Sequence, residues 1–350
     1  MIDTKIAVFN PVYKQQINNF LKKFFAQKQE EFSQVNNWGS DVSKKLSSFI
    51  SQGKMIRGSL ILFIHEAYTG KITEEAIKIA VAMELFHSSL LIHDDIMDND
   101  TLRRGNQTIF AQYQSFAESK KCNNAHHFGE SMGICVGDIG FFLGFQILSA
   151  IPNQAISRLC MNEMISVGLA QMQDVYSGYT KDAVTQSDIE QVYLYKTGRY
   201  TFSLPMMMGA LLAGQKDNRN LERLGECLGI IFQHTDDALS LFGSEIVTGK
   251  PEGSDIRENK KTLYRLYLYE KVSDTEKQRL EMIFGNQEIT SQDIAFVRKL
   301  MQTLGIQKIM DEKMHMLQKQ AKDHIIQLQI SKKYQEALEQ VIGNIIERKK

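Results

Sequence analysis

Only four prolines, Pro11, Pro152, Pro205 and Pro251, interrupt a chain of 350 residues. Proline lacks a backbone N–H and breaks helix interiors, so its scarcity leaves long stretches able to coil. Those stretches carry apolar residues at spacings of three and four, the helical period. Helices are therefore expected from Ile77 to Asp98, Met161 to Tyr176, Leu221 to Phe242, and along the tail from Asp311 to Arg348. No region sustains the period-two alternation and hairpin turns of a sheet, so the expected class is all-α, with any strands incidental. Breaks are expected at Ser51 to Gly53, Asn99 to Thr108, Ser119 to Asn124, Gly214 to Asn220 and Gly243 to Lys261, where Gly, Asn, Ser and charge gather. None reads as a domain linker and no fixed-period repeat occurs. The simplest architecture is one large helical bundle spanning residues 1–350.

A bundle alone implies no chemistry, so bulk properties serve mainly to exclude. Lys+Arg and Asp+Glu both number 41, which leaves no overall basic field to draw the chain to nucleic acid. Cys122, Cys135, Cys160 and Cys227 are widely spaced and form no CxxC pair, so neither a zinc knuckle nor a disulfide framework is indicated, and a cytoplasmic location is expected. The start, MIDTKIAVFNPVYKQQ, lacks the layout of a signal peptide. No stretch reaches eighteen uninterrupted apolar residues, so no transmembrane segment is expected. The basic ending IERKK is read as a solvated cluster.

The richest segment, HSSLLIHDDIMDNDTLRRGNQT from His87 to Thr108, closes an apolar helix with Asp94, Asp95 and Asp98. On a helix Asp94 and Asp98 lie one turn apart on one face, with Asp95 stacked beside Asp98. Acids at a helix C-terminus are mildly unfavourable, by about 0.3–1 kcal/mol each, so the cluster repels itself unless cations are present. Arg103 and Arg104 follow at once, placing anion-binding groups next to cation-binding ones, as a metal-bridged diphosphate requires. A second cluster, Asp236 and Asp237, also sits on an apolar helix and is followed by Lys250, Asp255, Lys260 and Lys261. Mg²⁺ takes one or two carboxylates plus substrate phosphates, so two such acidic helices could share one diphosphate.

From about Gly53 to Thr262 the chain resembles the trans-isoprenyl diphosphate synthases. The likeness rests on GKMIRG at Gly53 to Gly58, HDDIMDNDTLRRG at His93 to Gly105, GD at Gly137 and Asp138, AQMQD at Ala170 to Asp174, KTGRYTFSLP at Lys196 to Pro205, and FQHTDD at Phe232 to Asp237. The resemblance implies a helical bundle of the isoprenoid synthase type with a central active-site cavity. It also implies that Asp94 and Asp98 bind two Mg²⁺ ions and Asp236 a third, with Asp95 and Asp237 in support. Arg103, Lys196 and Lys250 resemble the cations that hold the allylic diphosphate. Lys54, Arg57, His87 and Arg104 resemble the isopentenyl diphosphate pocket. Thr197 and Gln233 resemble polar neighbours of the developing carbocation, and Gln171 and Asp174 lie on a further cavity-lining helix. Tyr200 and Phe202 are read as packing. A homodimer is the family's expectation.

The residue types suit that reaction. Diphosphate leaves an allylic carbon when metals and fixed cations neutralise its growing charge, and an apolar cavity then keeps water from the cation. No general base is demanded, and no Ser-His-Asp or Cys-His arrangement is found. Two departures stand out: Ser240 occupies the place of a third aspartate after Asp236, as in archaeal-type short-chain synthases, and GNQT replaces a Pro-Thr ending after the arginines. Product length follows from the helix bearing Asp94, where one turn of about 5.4 Å roughly matches one isoprene unit. Ser89 and Leu90 lie one turn below the metal site, and a small Ser89 leaves that level open. Phe86, about 12 Å deeper by helical rise, is the expected floor unless a side chain from the Gly129 to Ile147 helix intervenes. The expected product has twenty or twenty-five carbons. A terpene cyclase would not need the isopentenyl pocket, and a non-catalytic subunit of a heteromeric synthase would have lost its leading aspartates.

Overall fold

The computed structural model describes residues 7–180, 183–216, 218–243 and 252–347. The chain divides into two compact units, one built from Met1–Ser157 and Met208–Gln215, the other from Arg158–Met207 and Lys216–Lys350. Among the described residues the only strands are a two-residue pair, so the all-α expectation holds.

The first unit contains α1 (Pro11–Ser33), α2 (Gly39–Ser51), α3 (Ile56–Thr69), α4 (Glu74–Met97), the hairpin β1 (Leu102–Arg103) and β2 (Asn106–Gln107), α5 (Ile109–Ser119) and α6 (Ala125–Ser149). Its axis is α4. Thr73 caps that helix by accepting from the Ala76 amide, and Glu74 and Glu75 sit in the first turn where the helix dipole favours acids. From Ile79 to Phe86 every side chain is buried. Such a helix is core on all sides rather than amphipathic. By length and composition α4 and α6 could each span a membrane, but 67% of the apolar window of α4 and 44% of that of α6 are buried within the protein. Helix α6 approaches α4 closely because it has glycine where contact is tightest. A Cβ at Gly144 would fall 2.6 Å from Cε1 of Phe86, inside any allowed contact. Burying a side chain such as Phe86 contributes about 1.5–3 kcal/mol, and the glycine lets the ring seat against the α6 backbone.

Helix α7 (Gln154–Tyr179) carries the chain into the second unit, followed by α8 (Gln186–Val192) and an eleven-residue π-helix (Tyr193–Ser203). The π-helix runs into α9 (Leu204–Leu212), whose second residue is Pro205. An α-turn would press the Pro205 ring against the carbonyl of Thr201. The amide of Leu204 reaches back five residues to Arg199 O, and this wider turn relieves the clash. Helix α10 (Arg219–Phe242) lies alongside, with Gly225, Gly229, Gln233 and Asp237 in one line at i+4 spacing toward the π-helix. A Cβ at Gly229 would meet Cα of Gly198 at 2.1 Å. That contact draws the two backbones together so that the polar residues further along the line can reach across. Arg199 pins the π-helix by pairing with Glu163 at 2.5 Å, Glu222 at 2.6 Å and Glu226 at 3.0 Å.

Among the described residues the remaining helices are α11 (Ser254–Arg257), α12 (Leu263–Lys271), α13 (Asp274–Ile283), α14 (Ser291–Thr303), α15 (Ile306–Ile326) and α16 (Lys332–Ile346). They enclose a second core around Leu268, Val297, Met301 and Met310. The tail expected as one helix is two, because the α15 helix ends at Ile326 and Ser331 starts α16 as its N-cap. The other expected helices appear at their places with ends displaced by up to three residues, except that α7 begins at Gln154, seven residues before the expected Met161. Residues 348–350 of the basic ending lie outside the described residues.

Candidate active site

In the first unit the acids stand at the C-terminal end of α4. Asp94 is half-buried, Asp95 is wholly buried, and Asp98 is exposed as the C-cap, its amide bonded to Asp94 O at 2.8 Å. Asp95 turns inward, where its Oδ1 accepts from Arg103 Nε at 2.5 Å and its Oδ2 has no hydrogen-bond partner among the described residues. Burial pushes the Asp95 carboxyl up to about 6 against the pull of Arg103. The arrangement divides the labour: Asp95 anchors the hairpin, while Asp94 and Asp98 face outward with hard oxygen donors.

The GKMIRG segment starts α3 beside this cluster. Met55 turns the chain there with φ at 55°, a left-handed value rare for methionine. Lys54 is exposed and Arg57 half-buried. Beneath them Glu84, 2% exposed, accepts from the Gly58 amide at 2.8 Å. Its carboxyl is raised by burial, opposed by the Gly58 amide and the charges of Arg57 and Arg104. Arg104 lies against the same turn, since a Cβ at Gly53 would be 3.6 Å from its Nη1. Burial, with Arg57, Arg104 and Arg103 nearby, holds His87 well below the ordinary histidine range, so it is neutral and can donate or accept one hydrogen bond. The structure thus gathers Arg57, His87 and Arg104, with Lys54 at the helix start. Glu84 was missed by the sequence reading, although an acid inside the apolar run AVAMELF was the available signal.

Below the acids, Ser89 is fully buried and faces α6, where a Cβ at Gly140 would lie 2.3 Å from its Oγ. Leu90 is half-buried. Phe86 stacks among aromatics of α6, its ring centroid 4.8 Å from Phe145 and 6.3 Å from Phe141.

In the second unit the line of residues on α10 ends in the other acid pair. Asp236 is half-buried and Asp237 is 3% exposed. Asp237 turns inward, accepting from Gln233 Nε2 at 2.9 Å and from the Tyr193 hydroxyl. Burial and the nearby charge of Asp255 push its carboxyl up to about 7, against those two hydrogen bonds. Gln233 in turn accepts from Thr197 Oγ1 at 3.1 Å, so Thr197, Gln233, Asp237 and Tyr193 form one chain. Lys196 pairs with Asp174 at 2.5 Å, both partly exposed, and Gln171 lies one turn earlier on α7, half-buried. Ser240 shares a hydrogen bond of 2.9 Å with Ser254 rather than extending the acid cluster. Lys250 lies outside the described residues. Tyr200 and Phe202 are buried as packing.

Whether Mg²⁺ suits these residues can be judged from the donors. Among the described residues no three His, Cys, Asp or Glu side chains are gathered closely enough to enclose a metal. Outward carboxylates in ones and twos fit an ion that relies on substrate phosphates and water to complete an octahedron.

The polyprenyl synthetase family profile matches residues 40–301. A geranylgeranyl diphosphate synthase of Saccharolobus solfataricus is 30% identical over 275 residues, covering 75% of this chain and 76% of the relative. A farnesyl diphosphate synthase of Geobacillus stearothermophilus is 34% identical over 223 residues, covering 60% and 69%. Among solved structures, a geranylgeranyl pyrophosphate synthase of Corynebacterium glutamicum, complexed with isoprenyl diphosphate and magnesium, superposes with a TM-score of 0.88 at 24% identity, covering 96% of this chain and 99% of its own.

Proposed function

The chain belongs to the polyprenyl synthetase family and is a trans-isoprenyl diphosphate synthase, and on that premise we propose that it joins isopentenyl diphosphate to dimethylallyl, geranyl or farnesyl diphosphate in a Mg²⁺-dependent reaction giving geranylgeranyl diphosphate. One observation carries this reading: both acid pairs split into an outward aspartate and a buried one tied to its scaffold, Asp95 by Arg103 and Asp237 by Tyr193 and Gln233. That is how a site keeps outward carboxylates at fixed positions for ions that arrive with the substrate.

Asp94, Asp98 and Asp236 would hold the metal, three ions per site, which when bound neutralise the charge growing on the departing diphosphate. Arg103, Lys196 and Lys250 would hold the allylic diphosphate, Lys196 exchanging Asp174 for a phosphate oxygen. Lys54, Arg57, neutral His87 and Arg104 would hold isopentenyl diphosphate, with Glu84 fixing the turn that presents them. Thr197 and Gln233, joined by a hydrogen bond of 3.1 Å, would place their oxygens beside the developing allylic cation. The isopentenyl double bond then attacks C1, the C–O bond to diphosphate having broken, and the proton lost from the new chain passes to the released diphosphate. Phe86, seated on α6, would limit the tail. We read residues 1–350 as one catalytic domain acting in the cytoplasm as a homodimer. Support for a partner copy comes from α7, which exposes Met161, Ile165, Leu169, Met172, Tyr176 and Tyr179 at spacings of three and four.

The test is to incubate purified protein with Mg²⁺, labelled isopentenyl diphosphate and, separately, ten-, fifteen- and twenty-carbon allylic diphosphates, then to size the dephosphorylated products. Linear elongation stopping at twenty carbons is expected. Cyclic hydrocarbon would replace this reading with a cyclase, and no reaction by the chain alone would point to a catalytic partner.

A further inference from the structure

Within the first unit, one face of α2 from Asp41 to Phe49, with Gln52, the hairpin and the start of α5, lines a cavity of about 230 Å³. Its wall carries Lys44, Lys45, Arg103 and Arg104 against one carboxylate, Asp41. Lys54, Arg57 and His87 do not line it, so it adjoins the proposed isopentenyl pocket and shares only Arg104 with that set.

The charges on this wall do not balance. Asp41 is engaged by Lys45 at 3.5 Å and by the Tyr113 hydroxyl at 2.7 Å, and Arg103 is engaged by Asp95. Lys44 and Arg104 form no ion pair among the described residues. Four cations therefore line a concavity with one carboxylate on its wall, the buried Glu84 and Asp95 acting on Arg104 from behind it. Arg104 is also held at φ 53°, as the first central residue of a two-residue hairpin whose strands pair Arg103 with Asn106. Asn or Gly is preferred there. A strained arginine aimed at a cavity is the kind of outlier from which a binding role is inferred. Around the cations the wall carries amide and hydroxyl groups, including Gln52, Asn106 and Ser48, which suit a hydrated phosphate head, beside the apolar Phe49 and Ile109.

We infer that this cavity is a further diphosphate-binding site, a third beside the two proposed for the substrates, held by Lys44, Lys45 and Arg104. An anion there draws on the arginine proposed for isopentenyl diphosphate, so each ligand weakens the other by the same factor. The naming of that neighbour rests on the proposed function, whereas the cavity and its charge do not. The diphosphate could be free pyrophosphate or the head of a prenyl diphosphate.

The experiment is calorimetric titration of inorganic pyrophosphate, and separately of farnesyl diphosphate, into the full chain in EDTA, which removes metal-bridged binding. Lys44→Glu is compared with wild type, Lys44 being exposed and outside the proposed catalytic set. Expected are pyrophosphate binding weakened by about tenfold or more in Lys44→Glu, restoration in Lys44→Arg, and a KM for isopentenyl diphosphate within about twofold of wild type when measured with Mg²⁺ and no added pyrophosphate. Sensitivity of farnesyl diphosphate to the same change marks a prenyl head as occupant, and insensitivity marks free pyrophosphate. Pyrophosphate binding that is absent, or unchanged by Lys44→Glu, overturns the site. A chain that does not elongate yet still loses pyrophosphate affinity in Lys44→Glu keeps the cavity and discards the elongation reading.

Discussion

The two buried aspartates do the same job by different physics. Asp95 is anchored by a charged partner, Arg103, whereas Asp237 is anchored by neutral donors, Tyr193 and Gln233, with a second acid, Asp255, nearby. A charge-assisted bond is short and strong but leaves a buried ion if it is broken, whereas neutral hydrogen bonds fail more gently. The first cluster is therefore the stiffer one, with two outward aspartates, and the second is softer, with one.

The difference should appear first in activity. Asp94→Ala should lower kcat for elongation by roughly 10³-fold or more, and Asp236→Ala by about 10²-fold, measured by incorporation of labelled isopentenyl diphosphate at saturating Mg²⁺. Equal losses would mean that the clusters share the load evenly. Stability separates the anchors next. Arg103→Ala strands a buried carboxylate and should cost about 3 kcal/mol. Tyr193→Phe removes one of two neutral donors and should cost about 1 kcal/mol. Urea midpoints of the two variants measure both, and a larger loss in Tyr193→Phe would reverse the comparison.

How much of this was legible in the sequence depends on whether local pattern or close packing decided it. The α4 and α10 helices, both acid clusters and the cations beside them could be read because each is a run of neighbouring residues with one periodicity. The π-helix could not, since its wide turn answers to Pro205 and to glycine contacts with α10 that no spacing rule encodes. Ser89 looked like open room because it is small, yet the backbone of α6 at Gly140 occupies that side of it. Glu84 escaped notice because an isolated acid in an apolar run carries no motif, and only the fold brings it to the Gly58 amide. The division into two compact units is likewise a property of long-range packing, absent from linker composition.

The cationic crowd around the first cluster should leave a pH signature. The folded-state pKa of His87 lies well below its unfolded value, through burial and then Arg57, Arg104 and Arg103. As pH falls below about 6.5 the unfolded chain takes up a proton that the folded chain refuses, so stability present above that pH is progressively lost. His87→Gln should flatten this part of the pH profile of thermal unfolding, and an unchanged slope would show that His87 does not carry it.

The smallest effect is expected at Ser240, where the second cluster departs from a three-aspartate pattern. Its hydroxyl is shared with Ser254, tying the end of α10 to the short helix Ser254–Arg257. If Asp236 alone supplies the ligand on this side, Ser240→Ala should leave kcat within about twofold and cost about 1 kcal/mol of stability through the lost hydrogen bond. A fall in kcat near that of Asp236→Ala, with an increased requirement for Mg²⁺, would instead place the hydroxyl in the metal's surroundings. The softer cluster would then have two outward oxygens after all, and its difference from the first would lie in the anchor alone.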